Sequence, residues 1–343
     1  MSLRSKGRLP RGSYLDRLKQ SPNFTSQGFR NLTNTPMIAE DASYWKMVLD
    51  FFRKNSHTVP PTAIPSIKTD LHSFRYSHPV IVWFGHSSYF IRIAGKNILV
   101  DPVFSGNAAP LSFMVKAFPG SDAYSVDDMP HIDYLILTHD HYDHLDYKTL
   151  LKLKGKVSRV YCSLGLGAHL LYWGFNASDI TELDWWELVK LDNELSLVAA
   201  PARHFSGRGL KRFQSLWSSF VLRSQAHAIY IGGDSGYDTH FKQIGERYGP
   251  FDVVILEAGQ YNEQWPHIHM MPEETVLAAL DLRAKALMPV HWGKFTLAMH
   301  AWNEPVNRIL EKAKDLDLEI ITPMIGEPVL VGEKFASKRW WDI

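Results

Sequence analysis

The chain has 343 residues, of which 45% are hydrophobic and 21% charged, and its formal net charge is +1. This composition is typical of an ordinary globular protein with ample apolar material for a core. The small net charge excludes the strong basic excess that a general nucleic-acid binder usually carries, so no nucleic-acid partner is expected.

The single cysteine, Cys162, excludes an internal disulfide, so an oxidising compartment is not implied. The basic residues near the N-terminus are not followed by an apolar stretch, which argues against a secretory signal. The sequence has no apolar run of about 18 residues, so no membrane-spanning helix is predicted. We therefore expect a cytoplasmic protein, with peripheral membrane contact as an alternative.

The N-terminal part differs in composition from the rest of the chain. Residues 1–36 are rich in Arg, Ser, Asn, Gly and Pro, which predicts an irregular arm. Segment 41–54 has apolar residues at helical spacing, so we expect a helix that packs on the body or is partly available to lipid or a partner. A proline-rich linker follows. We divide the chain into an N-terminal arm and helix packing on the body, 1–60, and a single domain, 61–343.

From residue 79 the sequence has short apolar runs separated by turn residues, a pattern that predicts strands alternating with helices. Strands are predicted at 80–84, 89–93, 98–100, 131–138, 159–163, 195–200, 217–223, 228–231, 253–256, 285–290, 319–321 and 328–331. Helices are predicted at 147–153, 165–173, 272–284 and 303–314. Two sheets between layers of helices would bury such apolar strands on both faces, so the predicted class is α/β.

Residues 137–144 have the sequence Leu-Thr-His-Asp-His-Tyr-Asp-His and lie where a predicted buried strand ends. Imidazoles two residues apart in an extended chain point to the same side, so His139 and His141 can hold one metal ion. The chain then turns, and the adjacent Asp143 and His144 can face a second ion. Four ligand-type side chains at one strand end predict a metal site.

Three more residues of ligand type, His204, Asp234 and His291, follow the carboxyl ends of other predicted strands. This edge is where an α/β fold gathers groups from distant parts of the sequence. Seven ligands are too many for one tetrahedral ion but suit two ions that share a carboxylate, and Asp234 has two oxygens with which to bridge them. A set of imidazoles and carboxylates without thiolate favours zinc, with manganese or iron as alternatives.

The segment His-Asp-His-Tyr-Asp-His resembles the His-x-His-x-Asp-His motif of metallo-β-lactamase-fold hydrolases. The resemblance implies an αββα sandwich of two mixed β-sheets flanked by helices. It implies that His139, His141 and His204 hold a first ion. It also implies that Asp143, His144 and His291 hold a second ion, with Asp234 between the two.

One branch of that family is more similar still. Asp-Trp-Trp-Glu at 184–187 and Gly-Asp-Ser-Gly-Tyr at 233–237 resemble segments of N-acylphosphatidylethanolamine-hydrolysing phospholipase D. This resemblance implies a phosphodiesterase that acts on N-acylphosphatidylethanolamine-like phospholipids. It implies a catalytic role for His269, as the group that would give the leaving alkoxide its proton, and Asp143 is counted with it as a catalytic residue. His86 is expected to hold a ligand or loop by a hydrogen bond.

Two divalent ions about 3.5–4 Å apart can bind one water between them and lower its pKa toward about 7. The bridging hydroxide would attack the phosphorus of a phosphodiester, so no protein nucleophile is needed. Accordingly, neither a Gly-x-Ser-x-Gly elbow nor a Walker loop occurs in the sequence.

Three other functions are compatible with the same ligands. The site would suit a lactonase or esterase acting on a small substrate, such as a phosphorylated sugar lactone. A nuclease would share the metal site but would need a basic patch, which the sequence lacks. A non-catalytic protein would keep the metals for structure, although structural zinc sites are usually closed and four-coordinate. The sequence does not indicate an oligomeric state.

Overall fold

The computed structural model describes residues 3–39, 56–74, 76–111 and 113–343. The helix predicted at 41–54 lies outside the described residues. In the part of the chain that the structure describes, no helix combines the length and the apolar character needed to cross a membrane.

The elements are numbered in chain order. The strands are β1 (Phe24–Thr25), β2 (Gly28–Phe29), β3 (Val80–Trp83), β4 (Tyr89–Ile93), β5 (Lys96–Val100), β6 (Ile132–Leu137), β7 (Val157–Ser163), β8 (Ile180–Leu183), β9 (Leu188–Lys190), β10 (Ser196–Pro201), β11 (Ser218–Arg223), β12 (Ala228–Ile231), β13 (Val253–Glu257), β14 (Ala286–Val290), β15 (Glu319–Ile320) and β16 (Pro328–Leu330). The α-helices are α1 (Gly12–Leu18), α2 (Tyr147–Leu153), α3 (Gly167–Tyr172), α4 (His240–Tyr248), α5 (Pro272–Asp281) and α6 (Glu304–Ala313).

Two seven-stranded sheets form the centre of the molecule. Their strand orders are β16-β3-β4-β5-β6-β7-β8 and β15-β14-β13-β12-β11-β10-β9. Both sheets are mixed: β3, β4 and β5 pair antiparallel, whereas β5 to β8 pair parallel. In the second sheet, β9 to β12 pair antiparallel and β12 to β15 pair parallel. The short strands β1 and β2 form a separate hairpin.

Alternation along the strands explains why both faces of each sheet are buried. In β3, Ile81 and Trp83 pack in the core between the two sheets. The intervening Val80 and Val82 pack under the helices of the outer layer, because successive side chains of a strand point to opposite faces. A third cluster joins the second sheet to α4, α5 and α6. The layers are therefore helix, sheet, sheet and helix, which confirms the predicted fold class.

The carboxyl ends of the parallel strands meet at one edge of the sandwich, and loops from both sheets join there. Ser218 N donates to Thr138 O at 3.1 Å, which ties the end of β6 to the start of β11. His86 N donates to Trp292 O at 3.0 Å, and His291 N donates to His86 O at 2.9 Å. These backbone bonds cross from one sheet to the other and fix the relative positions of the loops at this edge.

The expectation of an irregular arm over 1–36 is wrong in part, because this segment contains α1 and the β1–β2 hairpin. Leu18 and Phe29 are buried in one cluster with Trp185 and Trp217. The polar composition of the segment does not predict this packing, because only a few of its apolar residues contact the rest of the protein. The predicted division of the chain at residue 60 stays a prediction.

Candidate metal centre

The structure brings all seven predicted ligand residues together at the edge where the two sheets meet. The residues fall into two groups, in each of which one possible ligand atom per residue lies within 4.8 Å of the others. The first ligand group comprises His139, His141, His204 and Asp234. The second ligand group comprises Asp143, His144 and His291, together with His86. Residues separated by about 150 positions in the sequence thus share one site, as the strand-end pattern predicted.

Distances within the first ligand group suit a single ion. His141 Nδ1 lies 3.0 Å from His139 Nε2 and 3.2 Å from His204 Nε2. Both Nε2 atoms lie 3.7 Å from Asp234 Oδ2. Ligand atoms about 2.0–2.1 Å from a tetrahedral ion are separated from each other by about 3.3 Å, so these four atoms are spaced as one coordination shell requires.

The second ligand group approaches the other oxygen of Asp234. Asp234 Oδ1 lies 3.2 Å from His144 Nε2 and 3.2 Å from His291 Nδ1. Asp143 Oδ2 lies 3.6 Å from His144 Nε2 and 4.0 Å from His291 Nε2. Asp234 therefore directs Oδ2 toward the first ligand group and Oδ1 toward the second, which is the arrangement of a carboxylate that both groups share.

Four buried atoms at the site have no hydrogen-bond partner: His86 Nδ1, His144 Nε2 and His291 Nε2 of the second ligand group, and Asp234 Oδ1 of the first. Buried polar atoms in proteins nearly always have a partner, and an ion is one explanation for those that do not. Imidazole nitrogens and carboxylate oxygens are also the ligands that zinc and related divalent ions accept. The residues present therefore fit divalent metal ions.

The protonation states of three histidines and of Asp234 agree with this fit, whereas the carboxylates of Asp234 and Asp143 outweigh burial and raise the pKa of His144 well above its usual value. Burial holds the pKa values of His139, His204 and His291 well below the usual value, which keeps these imidazoles neutral. Burial opposes ionisation of Asp234, but the charge of the adjacent His144 outweighs it and holds the pKa of this carboxyl well below its usual range. Neutral imidazole and ionised carboxylate are the forms that bind a metal ion.

Two histidines of the site have the second ring nitrogen fixed by an outer partner. His144 Nδ1 donates to Asp101 Oδ2 at 2.8 Å, and Asp101 in turn accepts from Thr138 N at 2.9 Å. His204 Nδ1 donates to Ile268 O at 2.8 Å. Each bond sets the tautomer and leaves Nε2 directed at the site. Asp101 was given no role from the sequence, although an aspartate directly after β5 lies at the same strand edge as the ligands.

His86 behaves as predicted, since His86 Nε2 lies 2.9 Å from Asp143 Oδ2 and supports that carboxylate. The neighbouring Ser87 hydroxyl lies 2.8 Å from His291 Nδ1. His86 and His291 both have positive φ, 53° and 69°. A non-glycine residue in this conformation costs about 1–3 kcal/mol and persists where the surroundings fix it, as at functional sites.

The predicted catalytic histidine, His269, lies against the ligands. Its ring centroid is 5.0 Å from that of His204 and 5.3 Å from that of His291. His269 Nδ1 lies 3.2 Å from Oε1 of the buried Glu257, which also accepts from Met270 N at 3.0 Å. Burial lowers the pKa of His269, but the charge of Glu257 outweighs it and raises this pKa to about 8. Glu257 was not identified from the sequence, because β13 looks like an ordinary buried strand.

Comparisons with known proteins bear on the family of the chain. The profile described as "Beta-lactamase superfamily domain" matches residues 96–292, a range that includes all seven predicted ligands. An uncharacterized protein of Mycobacterium tuberculosis is 38% identical over 328 residues, which are 94% of this chain and 88% of that protein. N-acyl-phosphatidylethanolamine-hydrolyzing phospholipase D 1 of Caenorhabditis elegans is 28% identical over 262 residues, 71% of this chain and 74% of that protein.

Among solved structures, a metallo hydrolase of the archaeon Ignicoccus hospitalis superposes with a TM-score of 0.57 at 20% identity. The match covers 74% of this chain and 98% of that structure, so it supports the fold. The superfamily profile covers more than half of the chain and all of the ligand-bearing strand ends. The chain therefore belongs to the beta-lactamase superfamily, among its metal-dependent hydrolases.

Proposed function

We propose that the protein is a binuclear, zinc-dependent phosphodiesterase of the phospholipase D type that hydrolyses N-acylphosphatidylethanolamine-like lipids. The observation that carries the proposal is the placement of Asp234 between two ligand groups, with one oxygen toward each. The similarity to the phospholipase of Caenorhabditis elegans, over most of both chains, supports the choice of substrate.

In this proposal His139, His141 and His204 hold the first ion. Asp143, His144 and His291 would hold the second ion, and Asp234 would contribute to both. When bound, such ions act as Lewis acids and lower the pKa of water at the site, which makes attack on a phosphodiester feasible at neutral pH.

The chain's own residues complete the chemistry. Asp143, supported by His86 at 2.9 Å, orients the attacking water as well as serving as a ligand. Since His269 Nδ1 faces Glu257, His269 Nε2 is the nitrogen free to give a proton to the leaving alkoxide. This proton transfer makes the head-group alcohol a better leaving group.

A cavity of about 380 Å³ lies beside Tyr142 of the loop that carries the ligands; none of the seven ligands lines it, whereas Asp146 and Arg208 do. Its lining combines Tyr142 and Lys148 with the apolar residues Pro110, Leu111 and Phe113. A cation beside apolar side chains suits a molecule with a phosphate and an acyl chain. Phe113 is 71% exposed, so the rim of the cavity can also meet a membrane surface peripherally. We propose a cytoplasmic location, with peripheral contact between the rim of the cavity and the membrane surface.

The test is incubation of zinc-loaded protein with vesicles that contain N-acylphosphatidylethanolamine. The expected products are phosphatidic acid and an N-acylethanolamine, and a chelator should abolish both. Absence of both products from protein that holds its metals would refute the lipid substrate. Hydrolysis of a generic phosphodiester by the same sample would leave the hydrolase assignment intact.

A lactonase or esterase with a small substrate is the second candidate, because the same cavity also has polar lining residues, Ser105 and Asn107. Such an enzyme should turn over its substrate at the same rate with and without vesicles. A rate that rises with vesicle surface would favour the lipid substrate instead.

A further inference from the structure

His204 lies in a loop after β10, and a side chain from the N-terminal segment, residues 3–36, holds its backbone. Asn31 Nδ2 donates to His204 O at 2.9 Å. His204 N donates to Asn31 Oδ1 at 3.1 Å. One amide thus satisfies both backbone groups of a residue in the first ligand group, much as a neighbouring strand would.

Asn31 is itself held in place. Trp217 Nε1, on a side chain that is 1% exposed, donates to Asn31 Oδ1 at 2.9 Å. Two residues earlier, Phe29 is buried, and Phe29 N donates to Phe213 O at 2.8 Å. The asparagine therefore approaches His204 from a fixed backbone, and its rotamer is set by a buried donor.

These contacts determine where the His204 ring points. Asn31 fixes the backbone, and the bond from His204 Nδ1 to Ile268 O fixes the far side of the ring. His204 Nε2 is thereby held 3.2 Å from His141 Nδ1. Because outer partners orient metal ligands, loss of the Asn31 bonds should misplace Nε2 relative to the other ligands.

The same N-terminal segment also supports the loop that carries His139 and His141. Arg208, which is buried, donates to Asp140 O at 2.8 Å and to Ser5 O at 2.7 Å. Arg8 N donates to His169 Nδ1 at 3.1 Å, and His169 Nε2 lies 3.3 Å from Asp140 Oδ2. Asp140 stands between the two ligands, so the segment supports the first ligand group directly at His204 and through Arg208 and His169 at Asp140.

We propose that Asn31 is a positioning residue for the first metal ion and that the N-terminal segment, which precedes the superfamily match at 96–292, is part of that ion's site. The inference rests on the proposed function in one respect, the assignment of His204 as a ligand. It adds a determinant of metal affinity that lies more than 170 residues from the ligand it positions.

The experiment measures zinc affinity in the full-length protein by competition with a chromophoric chelator, with elemental analysis of the dialysed samples. Asn31→Ala should weaken binding of one zinc ion by about 10–100-fold and leave the other ion in place. Asn31→Asp keeps the acceptor for His204 N and Trp217 Nε1 but replaces the donor to His204 O, so it should give a smaller loss of the same ion.

The matched control is Asn23→Ala. Asn23 lies in the same segment and donates to Asp184 Oδ1 at 2.9 Å, so this variant removes a contact to the body without affecting the His204 bonds. It should bind both ions with normal affinity. An equal loss of zinc in Asn23→Ala would mean that general docking of the segment is responsible and would overturn the proposal.

Normal zinc affinity in both Asn31 variants would also overturn it, and Asn31→Asp decides the matter if Asn31→Ala does not fold. His204→Ala separates this inference from the proposed function. If His204→Ala loses one ion while the Asn31 variants keep both, the ligand assignment stands and the role of Asn31 fails. If His204→Ala keeps both ions, the ligand assignment itself is wrong.

Discussion

The two ligand groups are supported by different parts of the molecule. The first ligand group has support from outside the central sheets, the two bonds of Asn31 to the backbone of His204, in addition to the Thr138 hydroxyl 3.0 Å from His139 Nδ1. The second relies on the strand ends themselves, where Asp101 holds His144 and His86 supports Asp143. His144 and His291 are fully buried, whereas His141 is partly open to solvent. The difference teaches that two ligand groups at one edge of a sandwich can take their support from different parts of the fold.

The largest effect should come from the residue that both groups share. Asp234→Asn removes the negative charge that faces both groups, so we expect loss of both ions and a fall in turnover of more than about 100-fold. Elemental analysis together with the lipid assay measures this. Asp238→Asn is the control. It also removes a carboxylate charge, but that carboxylate lies 3.6 Å from Arg203 Nε and belongs to neither ligand group. Normal metal content in Asp234→Asn would contradict a shared carboxylate.

Substitution of a histidine in one ligand group should reduce metal binding at that group alone. His139→Ala removes a buried ligand of the first ligand group, so the protein should retain one ion in place of two and lose turnover. His131→Ala, which changes a histidine that bonds Ser158 on the surface, should keep both ions. Retention of two ions by His139→Ala would remove this residue from the ligand set.

A side chain that touches both groups without serving as a ligand should separate chemistry from metal binding. His269→Ala should keep both ions and lower turnover by about 10²–10⁴-fold, the usual contribution of a positioned acid or base. His267→Ala, two residues earlier in the same loop, should retain near-normal turnover. Loss of metal from His269→Ala would instead make His269 a ligand, since its ring nitrogen lies within 4.8 Å of ligand atoms of Asp234 and His291.

The strand ends explain why so much of the site was predictable. Each of the seven predicted ligands follows an apolar run, and local sequence is enough to identify both the run and the polar residue after it. Asn31 has no such pattern, because its meaning depends on a contact with His204, 173 positions away. Helix α4 was not predicted either, because its local sequence also lacks a clear apolar pattern. Of its apolar side chains, only Phe241 and Ile244 are buried, which is too few to define a helical period.

The smallest expected effect tests the support of the second ligand group. Asp101 has φ 39°, a conformation that asparagine also tolerates, so Asp101→Asn should preserve the backbone. It removes the charge that faces His144 Nδ1. It also replaces one of the two carboxylate oxygens, which accept from Thr138 N and from the Thr138 hydroxyl, by an amide nitrogen that cannot accept. We expect about 10–100-fold weaker binding of the second ion. Binding of the first should change less, because Asp101 reaches His139 only through the Thr138 hydroxyl. Chelator competition on this variant and on Asn31→Ala measures this, and Asp133→Asn, whose carboxylate accepts from Asn97 N at 2.9 Å, is the control. If Asp101→Asn and Asn31→Ala release the same ion, the two groups do not have separate supports.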